Sequence, residues 1–237
     1  MKIICCNFKM NLLKKDIDNY LNIIDNKINK NNTIFFPSIP YISLFSNRGY
    51  LVGSQDISFK EFGSITGDTS VMQLKELGIK YTIIGHSERR QYFDDDKYIS
   101  KKINLSLQNN IDVILCIGET TKTTENETFE FLKNEIDEAF KNNINLINNN
   151  NLIIAYEPIW AIGSGVIPSD KCLINTISFI KKYILDNYKL NLKVLYGGSV
   201  NLDNINSLNK INEIDGYLIG SCSLKPENLL AITASNL

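Results

Sequence analysis

Three titratable side chains stand directly after short apolar runs of the sequence. Lys9 follows IICCNF, His86 follows YTIIG and Glu157 follows LIIAY. An ammonium, an imidazole and a carboxylate are groups that stabilise developing charge or move protons in active sites. Each also has an ordinary structural interpretation: Lys9 as a solvated cation, His86 as a hydrogen-bonded structural histidine, and Glu157 as a cap of the next turn. The elements that position these residues decide between the interpretations.

Eight short apolar runs recur along the chain: KIICCN, TIFFP, YLVGSQ, YTIIGH, DVILCIG, LIIAYE, KVLYGG and GYLIG. Most are continuous rather than alternating, which is typical of strands buried on both faces. The segments between them have helical spacing, as in Ile99, Ile103 and Leu107, or in residues 174–184, which follow a candidate N-cap at Ser169. The pattern is therefore strand, helix, strand, helix.

This alternation predicts an α/β fold, a closed eight-stranded parallel (β/α)8 TIM barrel, as one domain over residues 1–237. The βα units average about 30 residues, the size of a βα crossover unit. A doubly wound open sheet would show a similar alternation. Because no GxGxxG follows the first strand, the barrel is favoured.

Polar residues collect at the predicted carboxyl ends of the strands, which in a barrel face one mouth where active sites form. They are Asn7 and Lys9 after the first strand, His86, Ser87 and Glu88 after the fourth, Glu119 after the fifth, Glu157 after the sixth, Ser199 after the seventh, and Gly220 with Ser221 after the eighth. Their joint placement favours an active site over unrelated structural roles.

Glycines cluster after strands six, seven and eight, at Gly163, Gly165, Gly197, Gly198 and Gly220. Glycine lets the backbone adopt positive φ or approach a ligand closely. Backbone N–H groups there could surround a phosphate, as they often do after strands seven and eight of barrels. Tight turns without a ligand need the same residue type, so GGSV alone is compatible with either interpretation.

The composition argues against several classes of partner. Lys and Arg total 25 against 26 Asp and Glu, so no nucleic-acid or membrane-surface partner is predicted. MKIICCNFKMN has too short an apolar run for a signal peptide, and no run approaches the roughly 20 residues of a membrane span. A cytoplasmic protein is expected. With one histidine and five cysteines without CxxC spacing, we expect no metal site and reduced thiols.

Six segments, in order and spacing, closely resemble the triosephosphate isomerase family along the whole chain: NFKMN, GHSERR, CIGET, AYEPIWAIGSG, YGGSV and DGYLIG. AYEPIWAIGSG and GHSERR are highly specific to that family, whereas YGGSV and DGYLIG would be weaker alone. The resemblance implies an aldose–ketose isomerase of glycolysis and gluconeogenesis that needs no cofactor. Its reaction would interconvert dihydroxyacetone phosphate and D-glyceraldehyde 3-phosphate through an enediolate.

The resemblance also implies roles for individual residues. Glu157 would be the base, His86 a neutral imidazole that polarises the carbonyl, and Lys9 and Asn7 donors to the substrate and its developing charge. Supporting residues would be Ser87, which holds the base while the lid is open, Glu88, which pairs with Lys9, and Cys116. The phosphate would be bound by the backbone of Gly163, Ser199, Gly220 and Ser221, beside Asn7 and Lys9. The lid would comprise Pro158, Ile159, Trp160, Ala161, Ile162, Gly163, Ser164 and Gly165.

The family resemblance further implies a homodimer in which SFKEFGSITGD inserts beside the site of the other subunit, with Thr66 reaching the region of the partner's Asn7. The sequence also departs from the family pattern. Cys5 and Cys6 replace small residues, Phe8 replaces a tryptophan, and Ser221 replaces a glycine. We expect altered packing around strand one, and weaker phosphate binding if position 221 needs positive φ or a very close approach of the phosphate.

Two other functions compete with the isomerase. Another phosphosugar-processing barrel enzyme would share the phosphate loops but need different acids or a metal at the strand ends. A catalytically silent phosphometabolite-binding barrel would be expected to have lost Lys9, His86 or Glu157. Because all three residues are present, the isomerase is favoured.

Overall fold

The computed structural model describes residues 1–162 and 167–235 of the chain. Its strands are β1 (Ile3–Asn7), β2 (Thr33–Phe36), β3 (Leu51–Ser54), β4 (Tyr81–Ile84), β5 (Asp112–Ile117), β6 (Leu152–Tyr156), β7 (Val194–Tyr196) and β8 (Gly216–Ile219). Each strand pairs in parallel with the next, and β8 pairs with β1 to close the sheet. The predicted eight-stranded parallel barrel is confirmed, and the open doubly wound sheet is wrong.

Helices surround the barrel and return the chain from one strand to the next. They are α1 (Lys14–Ile24), α2 (Ile42–Ser46), α3 (Val71–Glu76), α4 (Ser87–Tyr92), α5 (Asp96–Gln108), α6 (Glu125–Phe140), α7 (Asp170–Tyr188), α8 (Ile205–Leu208) and α9 (Pro226–Ala234). Helix α7 begins at the predicted cap, because the Ser169 hydroxyl accepts a hydrogen bond from the Cys172 N–H at 3.3 Å. Within the described ranges, none of these helices is long and apolar enough to cross a membrane.

Two apolar layers hold the strands. The layer inside the barrel contains Cys5, Ile34, Phe36, Ile83, Ile114, Cys116, Ala155, Leu195 and Leu218. The other layer lies between the strands and the helices and includes Cys6. Alternate residues of a strand point to opposite faces, so adjacent residues such as Cys5 and Cys6 enter different layers. This double burial explains why the strands are continuous apolar runs in the sequence.

The aromatic residue that follows β1 is fully buried. The ring of Phe8 meets Tyr20 edge-on at 5.2 Å and Phe45 at 5.6 Å between ring centroids. Edge-to-face pairs at such distances add favourable interaction beyond area burial. The departures from the family pattern at Cys5, Cys6 and Phe8 thus all lie at core positions.

Candidate active site

The His86 imidazole and the Glu157 carboxylate face each other at the mouth of the barrel. His86 Nε2 lies 3.4 Å from Glu157 Oε1, and the two side chains are only 7% and 4% exposed. Glu157 directly follows β6, and His86 follows β4 after one glycine. In the barrel, β5 lies between β4 and β6, the two strands that carry His86 and Glu157.

Helix α4 orients the imidazole. His86 is its N-cap, and His86 Nδ1 accepts a hydrogen bond from the Glu88 N–H at 3.2 Å. A ring nitrogen that accepts a hydrogen bond carries no proton, so this geometry assigns the proton of a neutral imidazole to Nε2. The imidazole Nε2–H of His86 is thereby directed towards Glu157.

The Glu157 carboxylate is held by neighbouring backbone. Its Oε2 accepts a hydrogen bond from the Ser87 N–H at 3.3 Å. A Cβ at Gly118 would lie 1.9 Å from the Glu157 carbonyl oxygen, and a Cβ at Gly197 would lie 2.7 Å from Glu157 Cγ. Glycine at these two positions lets the adjacent strand ends approach the carboxylate-bearing residue. The structure thus brings the Ser87 backbone N–H to the Glu157 carboxylate.

Lys9 is held in a left-handed conformation, with φ of +51°. Its N–H donates to Asn7 Oδ1 at 3.1 Å, and its carbonyl accepts hydrogen bonds from Ser38 Oγ at 3.0 Å and Gln55 Nε2 at 2.8 Å. A left-handed conformation costs a non-glycine residue about 1–2 kcal/mol, which these three hydrogen bonds offset. The side chain reaches Glu88, with 2.7 Å between Lys9 Nζ and Glu88 Oε1.

Backbone groups border the other side of the mouth. Gly220 directly follows β8 and precedes a 3₁₀ turn at Ser221–Leu224, and a Cβ at Gly220 would lie 3.6 Å from Lys9 Cε. The stem of Lys9 therefore passes beside this loop. Ser221 is exposed and is not among the non-glycine residues with positive φ. Because Ser221 does not adopt positive φ, the backbone at this position does not strain a serine.

The described part of the predicted lid, residues 158–162, is attached to two strand ends. Ile159–Ala161 form a 3₁₀ turn. The Trp160 indole donates to Glu119 Oε1 at 2.7 Å, and the Ser199 hydroxyl donates to the Ala161 carbonyl oxygen at 2.7 Å. These contacts link this segment to the residues after β5 and β7. The remaining predicted lid residues, Gly163, Ser164 and Gly165, lie outside the described residues.

Glu119 is a buried carboxylate beside this segment. Burial raises its pKa, and hydrogen bonds from Trp160 and Tyr156 oppose that rise. Its own backbone carbonyl accepts from the Ile159 N–H at 3.0 Å. The only tryptophan of the sequence therefore has a polar partner that fixes the start of the predicted lid.

Two further predicted site residues, Cys116 and Thr66, differ in burial. Cys116 is buried in β5, where burial raises the pKa of its thiol well above the usual value and the neighbouring Glu157 adds to the effect. Thr66 lies exposed in the loop after β3. Within this one chain, Thr66 is not brought to the His86 and Glu157 pair.

A cavity of about 710 Å³ opens at the mouth, and Asn7, Lys9 and His86 line part of it. These three side chains offer an amide, an ammonium and an imidazole N–H to a ligand. Together with the Glu157 carboxylate, they form a set that can remove a proton next to a carbonyl and stabilise the oxyanion that results. This set of side chains therefore suits a small, polar, negatively charged ligand.

Sequence reasoning did not identify Ser38 or Gln55 as site residues. Gln55 directly follows β3, so it stands at a strand end like the residues that were identified. Ser38 follows β2 after one proline. Their positions after strands were therefore available as a signal, but their contacts with the Lys9 carbonyl depend on backbone geometry that residue types do not reveal.

Comparison with known proteins identifies the family. The chain matches the family model for triosephosphate isomerase over residues 2–236. It is 35% identical to the triosephosphate isomerase of Alkaliphilus oremlandii, with 97% of each chain covered. It is also 36% identical to the enzyme of that name from Mycoplasma capricolum, with 99% of this chain and 98% of the relative covered, and 34% identical to that from Saccharomyces cerevisiae, with 97% and 96% covered. The family resemblance predicted from the sequence is confirmed: the chain belongs to the triosephosphate isomerase family.

Proposed function

We propose that this isomerase interconverts dihydroxyacetone phosphate and D-glyceraldehyde 3-phosphate, with Glu157 and His86 as its proton-transferring pair. The observation that carries this proposal is the 3.4 Å separation between His86 Nε2 and Glu157 Oε1 in a buried mouth. A base and an N–H donor at this separation can act on neighbouring atoms of one small substrate.

The base step belongs to Glu157. Its carboxylate takes a proton from C1 of dihydroxyacetone phosphate, and the electron pair moves into the C2 carbonyl to form the enediolate. The C1 hydroxyl passes its proton through His86 to the C2 oxygen, and Glu157 returns the carbon-bound proton to C2, which leaves an aldehyde at C1 and a hydroxyl at C2. The Ser87 N–H, 3.3 Å from Glu157 Oε2, holds the carboxylate before substrate arrives.

His86 and Lys9 act on the oxygens. The Nε2–H of a neutral His86 donates to the C2 oxygen as negative charge develops there, and then serves the C1 oxygen. Lys9 supplies a positive charge close to the enediolate, and Asn7 supplies an amide. Such preorganised donors stabilise an oxyanion more in the transition state than in the substrate.

The phosphate would be bound mainly by backbone. N–H groups of Ser199, Gly220 and Ser221 follow β7 and β8, where barrels frequently bind phosphate. Lys9 supports this assignment because its stem lies beside Gly220. Gly163, assigned the same role from the sequence, lies outside the described residues.

The reaction is tested by a coupled assay of glyceraldehyde 3-phosphate turnover with purified protein. We compare wild type before and after chelation of metals, Glu157→Gln, and Glu130→Gln as an exposed carboxylate control on α6. We expect chelator-resistant turnover in wild type and the control, and a fall of about 10²–10⁴-fold in Glu157→Gln, the range for a general base.

Three outcomes would contradict this proposal. An inert wild type that still binds inorganic phosphate would indicate a silent phosphometabolite-binding barrel. Turnover that is lost with chelator and restored by metal would instead favour another phosphosugar enzyme. A Glu157→Gln variant with wild-type turnover would remove Glu157 as the base.

The segment 158–165 is proposed as a lid over the enediolate. Its support is the attachment of Trp160 to Glu119 and of Ala161 to Ser199. Closure would exclude water and prevent the enediolate from eliminating its phosphate. Shortening the segment between Ile159 and Gly163 should raise inorganic phosphate release relative to isomerisation, and an unchanged ratio would contradict the lid.

A homodimer is also proposed. Large apolar side chains at the mouth side remain exposed in the single chain, among them Met10 at 95%, Phe62 at 66% and Phe93 at 64%. Met10 and Phe93 line the same cavity as Lys9, so a second copy that inserts residues 58–68, with Thr66, would cover them. Light scattering at micromolar concentration should report a dimer, and an active monomer would contradict it.

The proposed location is the cytoplasm. All five cysteines are free thiols in the structure, as expected of a protein kept in a reducing compartment. Immunodetection in fractionated source cells should recover the protein with a cytosolic marker, and recovery in an oxidising compartment would contradict this location.

A further inference from the structure

Arg90 joins the ends of β4 and β5. Its Nε donates to the Gly85 carbonyl oxygen at 2.9 Å, and its Nη2 donates to the Cys116 carbonyl oxygen at 3.2 Å. Gly85 directly precedes His86 and has φ of +74°. A Cβ at Gly85 would lie 3.1 Å from the Cys116 oxygen and 3.2 Å from Arg90 Nη2. The guanidinium therefore fixes the backbone from which the imidazole extends.

Glu135 on α6 continues this connection. Its Oε1 lies 3.2 Å from Arg90 Nη1, and its Oε2 accepts a hydrogen bond from the Gly118 N–H at 2.8 Å. Arg90 Nη1 also lies 2.8 Å from Asp96 Oδ1 at the start of α5. Burial raises the pKa of Glu135 to about 7, against the lowering effect of Arg90 and of the Gly118 hydrogen bond. Directed contacts, rather than solvent, therefore hold this carboxylate.

Gly118 connects Glu135 to the base. The carbonyl oxygen of Glu157 occupies the space beside Gly118, where a Cβ would lie only 1.9 Å from it. The Glu157 N–H also donates to the Ile117 carbonyl oxygen at 2.8 Å. The end of β5 is thus in direct backbone contact with Glu157, while Arg90 binds the same strand at Cys116.

We propose that Arg90 and Glu135, the Arg90–Glu135 clamp, are positioning residues that set the separation of His86 and Glu157. Strand β5 lies between the strands that carry this pair, and the clamp binds β5 at Cys116 and Gly118 and β4 at Gly85. Misplacing reacting groups by about 1 Å can cost 10²-fold in rate. Both clamp residues line a cavity of about 750 Å³ distinct from the one lined by Asn7 and His86. They act through other residues, and the inference rests on the proposed isomerase function.

The test is Glu135→Leu, which removes both carboxylate oxygens at similar volume. We expect kcat to fall about tenfold or more, with the KM for glyceraldehyde 3-phosphate and the Ki of inorganic phosphate within about twofold, because the proposed phosphate loops follow β7 and β8. Glu135→Gln keeps an oxygen for the Gly118 N–H and should retain more of kcat than Glu135→Leu. Such partial rescue distinguishes positioning from simple loss of a buried charge.

Leu132→Ala is the matched control. Leu132 is fully buried on the same helix, and its truncation should lower the midpoint of denaturant unfolding while leaving kcat per folded molecule within twofold. If Glu135→Leu does not fold, Arg90→Lys provides the same comparison, since one ammonium cannot span both carbonyl oxygens that Arg90 binds.

Three results would overturn the clamp: kcat within twofold of wild type in Glu135→Leu or Arg90→Lys, an equal fall of kcat in Leu132→Ala, or a Ki of phosphate that rises in parallel with the fall of kcat. An inactive wild type would contradict the proposed function itself. An active wild type with fully active variants would contradict the clamp alone.

Discussion

The two sides of the barrel mouth are built from different groups. The side formed by β1, β4 and β6 presents side chains, Lys9, His86 and Glu157, and each is held by hydrogen bonds or close backbone contacts. The side formed by β7 and β8 presents mainly backbone around Gly197 and Gly220. This difference shows that a reactive side chain needs further polar contacts to hold it in position. A surface made of backbone groups is positioned by the strands themselves.

The largest effect should come from removing a charge on the side-chain half. Lys9→Met keeps a stem that packs beside Gly220 but removes the ammonium from the site. Because a fixed donor near developing negative charge is worth about 10²–10³ in rate, we expect kcat/KM to fall by at least that range in the coupled assay. Lys14→Met, which removes an exposed lysine paired with Asp18, should keep wild-type rates. A loss of less than tenfold in Lys9→Met would contradict the role assigned to side chains on this side of the mouth.

The next largest effect concerns the free energy of unfolding. It arises at Glu135, which supports the side of the mouth that presents side chains. Burial raises the pKa of Glu135 from 4.5 to about 7, so between these values the folded state keeps a proton that the unfolded state has released. The contribution of Glu135 to stability is therefore fully present below about pH 4.5 and is lost as the pH rises through about 7. At about 1.4 kcal/mol per pKa unit, the loss is on the order of 3 kcal/mol.

Glu135→Gln should remove this dependence on pH. Denaturant unfolding at pH 5 and pH 8 should show that the variant gains free energy of unfolding relative to wild type as the pH rises. A difference that is the same at both pH values would show that the ionised carboxylate costs no stability. Positioning His86 and Glu157 through Glu135 would then not lower the free energy of unfolding.

A smaller effect should follow from adding one methyl group beside the base. Gly197→Ala places a Cβ 2.7 Å from Glu157 Cγ, so the carboxylate must shift, and we expect kcat to fall about tenfold. In Gly220→Ala the nearest atom is Lys9 Cε at 3.6 Å, an ordinary contact, and kcat should change less than threefold. Equal effects in steady-state kinetics would show that glycine serves both loops in the same way.

The smallest effect is expected on the backbone half. Ser221 departs from the family pattern, yet it has no positive φ and its side chain is exposed. Ser221→Gly should therefore leave the KM for glyceraldehyde 3-phosphate within about twofold. A marked fall in KM would mean that the serine side chain itself hinders the phosphate.

The strands and the main site residues could be predicted because their signals are local. Continuous apolar runs marked every strand of the barrel, and His86 and Glu157 stand directly beside two of them. Glu135 carried a weaker signal, since helical period places it on the buried face of α6 with Leu132 and Ile136. Its partner Arg90 could not be inferred, because nothing in a one-dimensional pattern relates a position on α6 to one on α4.

The hydrogen bonds to the Lys9 carbonyl were unpredictable for a related reason. Ser38 and Gln55 reach it only because β1, β2 and β3 pair in one register, and register is a property of the assembled sheet. Thr66 and Phe62, in the segment predicted to insert beside another subunit, are exposed in the single chain, and no pattern in one sequence shows what covers them.

The pairing of β1 with β8 has a consequence for folding. Lys9 and Gly220 become neighbours only when these two strands, far apart along the chain, align. Closing so long a loop costs entropy that contacts must first offset, and such non-local pairing slows folding. On a ribosome, Lys9 emerges early but acquires its neighbour only after the last strand has been synthesised. Isomerase activity during synthesis would therefore appear as a late event, and its onset would time the closure of the barrel.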